Sequence, residues 1–358
     1  MNATGFRPML RSLVVITGIV VASLSVDSDV SRALAQTGQP EPNFQLGDSV
    51  TAPVRAISGG HESSLAFYIP EKDLLAESIA YDPKDGSFYV GSTRKGKIVR
   101  VDKTGAVSDF IAPRQDGLWM VIGIKIHATR RVLWACSWNG ENLEGFKPDQ
   151  TRASGVFAFN LDTGKLIKKW LLDTPGQVHG LNDLVLTRAG DAYITHMFDT
   201  ADIYRIEDKV QKLKPFAHPN GLGEPNGITI TPDERTLFVA GADGIIVVDC
   251  GTGAARALAV PPEVSTGGID GLYYYRGSLV GIQGNSVVRY HLDDALSRVV
   301  LMEVLEKDHS LFDIPTTGVI VDNAFYYIAN CQFDALQKDG SLQTDKLNET
   351  AILKLVLR

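Results

Sequence analysis

The feature that most constrains the fold of this chain is a hairpin that recurs about every 45 residues. Each copy has a short apolar strand, a polar turn and a second apolar strand, as in Glu77–Asp82 followed by Phe88–Gly91. The copies begin at residues 77, 122, 182, 226, 270 and 317, so successive steps are 45, 60, 44, 44 and 47 residues. A period near 45 with about four strands per repeat predicts a β-propeller.

The repeat count predicts an all-β, six-bladed β-propeller over residues 63–358, with four antiparallel strands in each blade. The sixth repeat has only one clear strand after its hairpin, Ala351–Val356. We therefore expect an N-terminal strand, at 54–57 or 66–70, to complete that blade, so that the two chain ends close the ring. A β-sandwich would also have short strands, but it would lack the regular repeat.

The long second step comes from a polar insertion, Asn139 to Gly155, inside the second repeat. Long loops in compact domains are often functional, so we expect this insertion to act as a lid over one mouth of the propeller. Trp138 immediately precedes it; the side chain is explained by packing between blades, and the alternative is that it forms the wall of a pocket.

The N-terminus has the pattern of an export signal. Arg7 and Arg11 precede a mostly apolar run, Leu13–Val26, and residues 33–35 form an Ala-Leu-Ala cleavage signal. Residues 1–35 are therefore predicted to be a signal peptide cleaved before Gln36. The apolar run is shorter than the ~20 residues that span a bilayer, which argues against the alternative of a membrane anchor. We expect a periplasmic or extracellular protein without membrane attachment after cleavage, and we interpret residues 36–62 as a linker.

Charge and cysteine content exclude other classes. The net charge of −7 and the lack of a Lys/Arg cluster argue against a nucleic-acid partner. Cys136, Cys250 and Cys331 are too scattered for a disulfide framework or a thiolate metal site, so we interpret them as buried apolar residues.

Polar side chains recur at the first residue of the repeats. In a propeller the first strand of each blade lines the central channel, so these six ring positions meet near one mouth; they are Glu77, Ile122, Asn182, Asn226, Asp270 and Thr317. Two carboxylates and two amides are hard oxygen ligands with a formal charge of −2, which suits Ca²⁺ or another hard divalent cation. The alternative is an uncharged, hydrogen-bonded plug, since Asn and Asp also favour strand starts for turn reasons.

Four of these segments carry a family resemblance: Glu77-Ser-Ile-Ala-Tyr-Asp-Pro, Leu181-Asn-Asp-Leu, Pro225-Asn-Gly-Ile-Thr-Ile and Ile269-Asp-Gly-Leu. Together they resemble the SMP-30/gluconolactonase/luciferin-regenerating enzyme family and, more distantly, the calcium-dependent paraoxonases. The resemblance covers about residues 66–357. It implies a six-bladed propeller that hydrolyses lactones or related esters with a divalent metal, usually calcium, at the channel mouth.

The resemblance also implies roles for the ring residues. Glu77, Asn226 and Asp270 would be metal ligands, and Asn182 would be a ligand or would hold substrate or a metal-bound water. Sugar-lactone members carry an Arg two residues before that Asn, where this chain has Gly180. Paraoxonases have Asn after the Asp of the fifth blade, where this chain has Gly271. The resemblance therefore does not extend to a gluconolactone-like substrate.

A hydrolase of this kind needs a general base within hydrogen-bond reach of the attacking water. The resemblance suggests that Asp270 is both ligand and base. Asp183 is a second candidate, although strand alternation favours a supporting position for it, and His179 and His196 are candidate proton carriers near the third hairpin. The signal peptide predicts export, and the family resemblance implies a calcium-dependent lactonase or esterase acting on a small molecule. The alternative is a non-catalytic ligand- or protein-binding propeller with a structural metal.

Overall fold

Six four-stranded antiparallel sheets form the part of the chain that the computed structural model describes. The described residues are 63–147, 150–198, 203–219 and 222–358, all within the unit 51–358. The prediction of an all-β, six-bladed propeller is confirmed. The predicted signal peptide (1–35), the predicted linker (36–62) and the strand candidate at 54–57 lie outside the described residues.

The strands are numbered here in chain order. The first is β1 (Ser64–Ile69). Blade one contains β2 (Ala76–Asp82), β3 (Ser87–Ser92), β4 (Lys97–Val101) and β5 (Val107–Ile111). Blade two contains β6 (Met120–His127), β7 (Val132–Trp138), β8 (Ser154–Asn160) and β9 (Leu166–Leu172). Blade three contains β10 (Leu181–Leu186), β11 (Ala192–His196), β12 (Ile203–Ile206) and β13 (Leu213–Ala217). Blade four contains β14 (Ile228–Ile230), β15 (Thr236–Ala240), β16 (Ile245–Asp249) and β17 (Ala255–Ala257). Blade five contains β18 (Ile269–Tyr275), β19 (Ser278–Gln283), β20 (Ser286–Leu292) and β21 (Val299–Lys307). The remaining strands are β22 (Gly318–Val321), β23 (Ala324–Ile328) and β24 (Thr350–Val356).

Blade six is completed by the strand from the other end of the chain. Its order is β1-β24-β23-β22, and Ile69 pairs with Thr350 while Tyr68 pairs with Ala351. The hydroxyl of Tyr327 donates a 2.7 Å hydrogen bond to Ser63 just before β1. Closure of the ring by both chain ends is therefore confirmed, with β1 in the place of the candidate strand at 66–70.

Apolar side chains fill the spaces between successive blades. Between blades five and six, for example, Tyr273 and Tyr275 pack in one buried cluster with Phe325 and Tyr327. The rings of Phe325 and Tyr327 stack with centroids 5.3 Å apart. Because each sheet has two apolar faces, it is buried only when it has a neighbour on both sides, which the ring provides. Cys136, Cys250 and Cys331 are buried free thiols, as predicted; Cys136 lies on β7, whereas Cys250 and Cys331 follow the ends of β16 and β23 rather than lying on strands as expected.

The insertion leaves the propeller on the same face as the predicted ring. It follows the end of β7, which lies beside the start of β6 because the two strands are antiparallel and Trp138 pairs with Met120. The backbone N–H of Glu144 donates to the carbonyl of Arg94 at 2.8 Å, which ties the insertion to blade one. A second long connection on this face, between β23 and β24, carries the 3-10 turns Phe333–Ala335 and Thr344–Lys346 and was not anticipated from the sequence.

Four 3-10 turns, the other two being Lys72–Leu74 and Gln115–Gly117, are the helical segments within the described ranges. In this part of the chain, no helix has the length and apolar character needed to cross a membrane.

Candidate functional site at the channel mouth

β-Bulges fall on the ring positions of four blades. In each of β2, β6, β10 and β18, the innermost strand has one more residue than its partner across the irregular pair. The irregular segments contain Glu77, Ile122, Asn182–Asp183 and Asp270–Gly271. A bulge redirects the side chain that it carries and ends regular pairing. The polar residues are therefore held at backbone irregularities at the mouth of the channel.

Glycine follows the ring residue in four blades, and it allows neighbouring innermost strands to touch. The backbone N–H of Gly227 donates to the carbonyl of Asp270 at 2.9 Å, and a Cβ at Gly227 would lie 2.3 Å from that oxygen. A Cβ at Gly123 would lie 2.4 Å from the carbonyl oxygen of Asn182. Only a residue without a side chain permits this approach. The ring residues of adjacent blades are consequently held side by side.

Glu77 and Asp270 are buried carboxyl groups that interact with each other. Glu77 is 8% exposed, and burial raises its pKa well above the ordinary value, with further increases from the negative charges of Asp270 and Asp183. Burial raises the pKa of Asp270 to about 7, although a hydrogen bond from the Asn226 side chain acts in the opposite direction. Asp270 as a whole is partly exposed, but its Oδ1 atom is buried. Glu77 Oε2 and Asp270 Oδ1 find no hydrogen-bond partner in the described part of the chain.

The other ring residues complete the mouth in different ways. The Asn182 side chain is 6% exposed and its amide donates to Met197 Sδ at 3.4 Å. Thr317 donates from its hydroxyl to the backbone carbonyl of Glu77 at 2.6 Å, which joins blades one and six. Ile122 is buried in an apolar cluster and brings no polar group. The structure thus places Glu77, Asn226 and Asp270 together, with Asn182 at the equivalent position of blade three.

Asp183 occupies a place where four other blades have glycine, and it forms an ion pair that sequence reasoning missed. Its Oδ1 accepts hydrogen bonds from Lys125 Nζ at 2.6 Å and from the backbone N–H of Leu184 at 2.8 Å. The Asp183 side chain is 5% exposed and the Lys125 side chain 25%. A carboxylate held in this way has little freedom to move toward a substrate. The geometry favours the supporting position for Asp183 over its alternative role as a base.

His179 and His196 lie next to each other in blade three, close in sequence to the two ends of the β10–β11 hairpin. Nδ1 of His179 is 3.2 Å from Nε2 of His196, and both side chains are buried. His196 pairs with Leu181 across β10 and β11, and the backbone N–H of His179 donates to the carbonyl of Arg152 at 3.0 Å. The two imidazoles therefore form one hydrogen-bonded unit beside blade three, and their predicted role as proton carriers stays a prediction.

The balance of charge at the mouth favours a bound cation. The negative charges of Asp270 and Asp183 raise the pKa of Glu77, and that of Asp183 raises the pKa of Asp270, while Lys125 neutralises Asp183. Two negative charges are left uncompensated when all groups are ionised, and two buried oxygens lack a hydrogen-bond partner among the described residues. These residues fit a hard divalent ion held by carboxylate and amide oxygens.

A conventional metal cluster is not found here. Within residues 63–147, 150–198, 203–219 and 222–358, no group of three or more His, Cys, Asp or Glu side chains is arranged to hold a metal ion. Any cation at the mouth would therefore depend on the amide oxygens of Asn182 and Asn226 in addition to two carboxylates. This ligand set disfavours zinc and copper, which prefer imidazole and thiolate ligands.

Comparison with solved structures identifies the fold. The chain superposes on the Malassezia sympodialis allergen Mala s 1 with a TM-score of 0.63 and 18% identity, over 82% of this chain and 96% of that one. It superposes on a gluconolactonase from Xanthomonas campestris with a TM-score of 0.55 and 15% identity, over 85% of this chain and 97% of that one. It also superposes on regucalcin from Agrobacterium tumefaciens, a calcium-binding protein, with a TM-score of 0.53 and 17% identity, over 82% of this chain and 96% of that one. The fold is that of these propellers. No protein-family model matches the sequence, and no curated protein matches it.

The gluconolactonase and the regucalcin belong to the family that the sequence resembles, so the resemblance is confirmed at the level of structural neighbours. Identities below 20% show the shared fold only.

Two surface cavities lie away from the ring. One, of about 400 Å³, is lined by residues of blades three and four that include Asp191 and Arg205. The other, of about 240 Å³, lies between blades five and six beside His291 and Glu303, whose Nε2 and Oε2 atoms are 2.6 Å apart. No ring residue lines either cavity. Acidic and basic side chains both line each one, so neither cavity indicates a particular class of ligand.

Proposed function

We propose that this protein is a divalent-cation-dependent hydrolase of a lactone or related ester, with calcium as the preferred ion. The observation that carries the proposal is the pair of buried carboxyl groups, Glu77 and Asp270, whose Oε2 and Oδ1 atoms lack partners among the described residues. Burial of such groups is costly unless a cation or a proton compensates them. The propeller fold shared with a gluconolactonase and a calcium-binding regucalcin is consistent with this chemistry.

Each residue at the mouth has a defined part in the proposal. Glu77, Asp270, Asn182 and Asn226 would hold the ion through side-chain oxygens. When bound, a hard divalent cation polarises an ester carbonyl and stabilises negative charge that develops on its oxygen.

Asp270 has a pKa of about 7 in the metal-free protein, and a bound cation would favour its ionised form, which is the form that accepts a proton. Lys125 holds Asp183 in a fixed position, which anchors β10 and the adjacent Asn182. Burial of Glu77 and of the Asp270 Oδ1 atom strengthens their electrostatic interactions.

Export is part of the proposal. Residues 1–35 carry the pattern of a signal peptide, and we expect the mature chain to begin at Gln36 in the periplasm or outside the cell. N-terminal sequencing of the protein recovered from each cell fraction tests this. A cytoplasmic protein that retains its first residues would contradict it.

The cation is tested by thermal melting of chelator-treated protein with added Ca²⁺, Mg²⁺ or Mn²⁺. A ligand at 100 times its dissociation constant adds about 2.7 kcal/mol to the free energy of unfolding, which gives a clear rise in Tm. Glu77→Gln should abolish that rise, whereas Glu263→Gln, at an exposed position, should keep it. Unchanged melting of the wild-type protein with all three ions would remove the metal from the proposal.

Hydrolysis is tested separately with a panel of lactones and aryl esters at saturating calcium. We expect turnover by the wild-type and Glu263→Gln proteins, and none above background by Glu77→Gln in a folded state verified by circular dichroism. A calcium-dependent rise in Tm without turnover of any substrate would favour the alternative of a binding propeller with a structural metal.

A further inference from the structure

A largely buried apolar cluster adjoins the ring on the side of blades two and three. We call it the aromatic wall. Its buried members are Met120, Ile122, Trp138 and Leu143, and its partly exposed members are Trp119, Phe146 and Phe198. Ile122 holds the ring position of blade two, and Met197, the neighbour of Phe198, contacts the Asn182 amide. The wall is therefore continuous with the proposed metal site.

Phe198 is held in the wall by a close fit to the backbone just before Asn182. A Cβ at Gly180 would lie 2.5 Å from both Cδ2 and Cε2 of the Phe198 ring. The same ring packs edge-on against Trp138, with centroids 5.3 Å apart and an interplanar angle of 81°. The absence of a side chain at Gly180 thus makes room for an aromatic ring in the space that any larger residue would occupy.

Trp138 also brings a polar group into the wall. The residue is 8% exposed, and its indole Nε1 is a buried donor with no acceptor among the described residues. Leaving a buried N–H without an acceptor is unfavourable, so a ligand oxygen that reached it would supply a hydrogen bond that none of the described residues provides. The wall therefore combines apolar contact area with one unsatisfied donor.

We propose that the aromatic wall selects substrates in which an alkyl or aryl substituent is attached to the lactone or ester, with Trp138 donating to an oxygen of the bound molecule. This inference rests on the proposed hydrolase function and adds its substrate class. A polyhydroxylated lactone is disfavoured because its hydroxyl groups would lose water against a surface that offers a single donor. An alkyl chain gains from every methylene that leaves water.

The test compares γ-lactones with substituents from none to hexyl, and glucono-1,5-lactone, as substrates of the calcium-loaded protein. We expect kcat/KM to rise about fourfold for each of the first few methylenes and to be lowest for gluconolactone. Trp138→Phe keeps the aromatic contact and removes the N–H, so it should lower kcat/KM for the hexyl lactone about tenfold.

Trp170→Phe is the matched control. Trp170 is also 8% exposed, but its indole N–H already donates to the carbonyl of Gln211 at 3.0 Å on the outside of blade two. This variant should keep the wild-type dependence on chain length. A second variant, Phe198→Ala, should flatten that dependence by removing part of the wall.

Binding without turnover separates this inference from the proposed function. The probe is a hexyl-substituted γ-lactam, which resists hydrolysis, titrated by tryptophan fluorescence into the wild-type, Trp138→Phe and Trp170→Phe proteins. Tighter binding by the wild-type and Trp170→Phe proteins than by Trp138→Phe supports the wall even if no lactone is hydrolysed. Hydrolysis that is independent of chain length, or fastest with gluconolactone, overturns substrate selection by the aromatic wall but agrees with the proposed hydrolase function. If the protein neither binds the lactam nor hydrolyses any lactone, both the role of the aromatic wall and the proposed hydrolase function are overturned.

Discussion

Lys125 Nζ lies 2.6 Å from Asp183 Oδ1 and joins blades two and three at the channel mouth. The ammonium group neutralises one of three neighbouring carboxylates and leaves Glu77 and Asp270 as the uncompensated pair. It also lies 5.9 Å from the centroid of the Tyr273 ring in blade five, which extends the contact across the channel. This one lysine therefore determines how much negative charge remains for an ion.

Removing that lysine should be costly to stability. Lys125→Met leaves the Asp183 carboxylate, 5% exposed, without its cation, and breaking a buried pair in this way typically costs about 3–5 kcal/mol. Unfolding in urea measures the loss. Lys84→Met, which breaks the exposed pair with Asp162, should cost less than about 1 kcal/mol. The combined variant Lys125→Met with Asp183→Asn should recover part of the stability; a further loss would contradict the ion-pair explanation.

The stability of the metal-free protein should fall as pH rises. Asp270 has a pKa of about 7 in the folded protein and an ordinary value of 3.8, so between these pH values the folded state binds more protons than the unfolded state. The free energy of unfolding then decreases with pH, and the stabilisation is lost as pH passes through 7. One extra bound proton over the two pH units from 5 to 7 corresponds to a decrease of about 3 kcal/mol in the free energy of unfolding, and the raised pKa of Glu77 acts in the same direction.

Urea unfolding in the presence of chelator at pH 5 and pH 8 measures this decrease. Asp270→Asn removes the titrating group, so its unfolding free energy should depend less on pH by roughly the amount stated above, whereas Asp243→Asn at an exposed site should behave as wild type. Equal pH dependence in wild type and Asp270→Asn would show that Asp270 titrates normally. Saturating calcium should reverse the trend by favouring the ionised carboxylates.

The fold was predictable because a propeller repeats. The period, the alternation within Asn182–Leu186 and the single strand left over in the sixth repeat were enough to predict six blades and closure by the chain ends. The residues of the ring followed from their register. That part of the inference needed only spacing, since equivalent positions of a closed ring must meet.

The environment of the ring was less predictable, because it depends on contacts between distant strands. The bulges at Glu77 and Asp270 have no marker in a single strand, and the partner of Asp183 is 58 residues away. Two signals were nevertheless present. Glycine follows the ring residue in four blades, which indicates close backbone approach, and Lys125 lies three residues after Ile122 as the one charged Lys, Arg, Asp or Glu side chain of β6.

The glycines that follow the ring residues should tolerate no side chain. Gly227→Ala would place a Cβ 2.3 Å from the carbonyl oxygen of Asp270, so the strands of blades four and five must separate. We expect a loss of about 3 kcal/mol or more, together with weaker calcium binding, because backbone cannot yield as a flexible side chain does. Gly251→Ala, whose Cβ would meet a carboxylate oxygen at 3.3 Å on an exposed turn, is the matched control. Thermal melting with and without calcium measures both effects, and normal melting of Gly227→Ala would refute the close approach.

The opposite end of the propeller offers a test of whether stability and ion binding are separable. Arg131 donates from Nη1 and Nη2 to the two carboxylate oxygens of Asp82, both at 2.7 Å, and the Asp82 side chain is 0% exposed. Arg131→Met should cost about 2–4 kcal/mol by leaving that carboxylate buried without its partner. Arg100→Met breaks a pair with Asp85 in which both side chains are more than a third exposed, so it should cost less than about 1 kcal/mol.

Calcium binding should not change in these variants, because the Arg131–Asp82 pair lies at the end of β2 remote from Glu77. The calcium dissociation constant measured by calorimetry should stay within about twofold of wild type, which is only ~0.4 kcal/mol. A larger change in either arginine variant would mean that the ring is coupled to the far end of the blades.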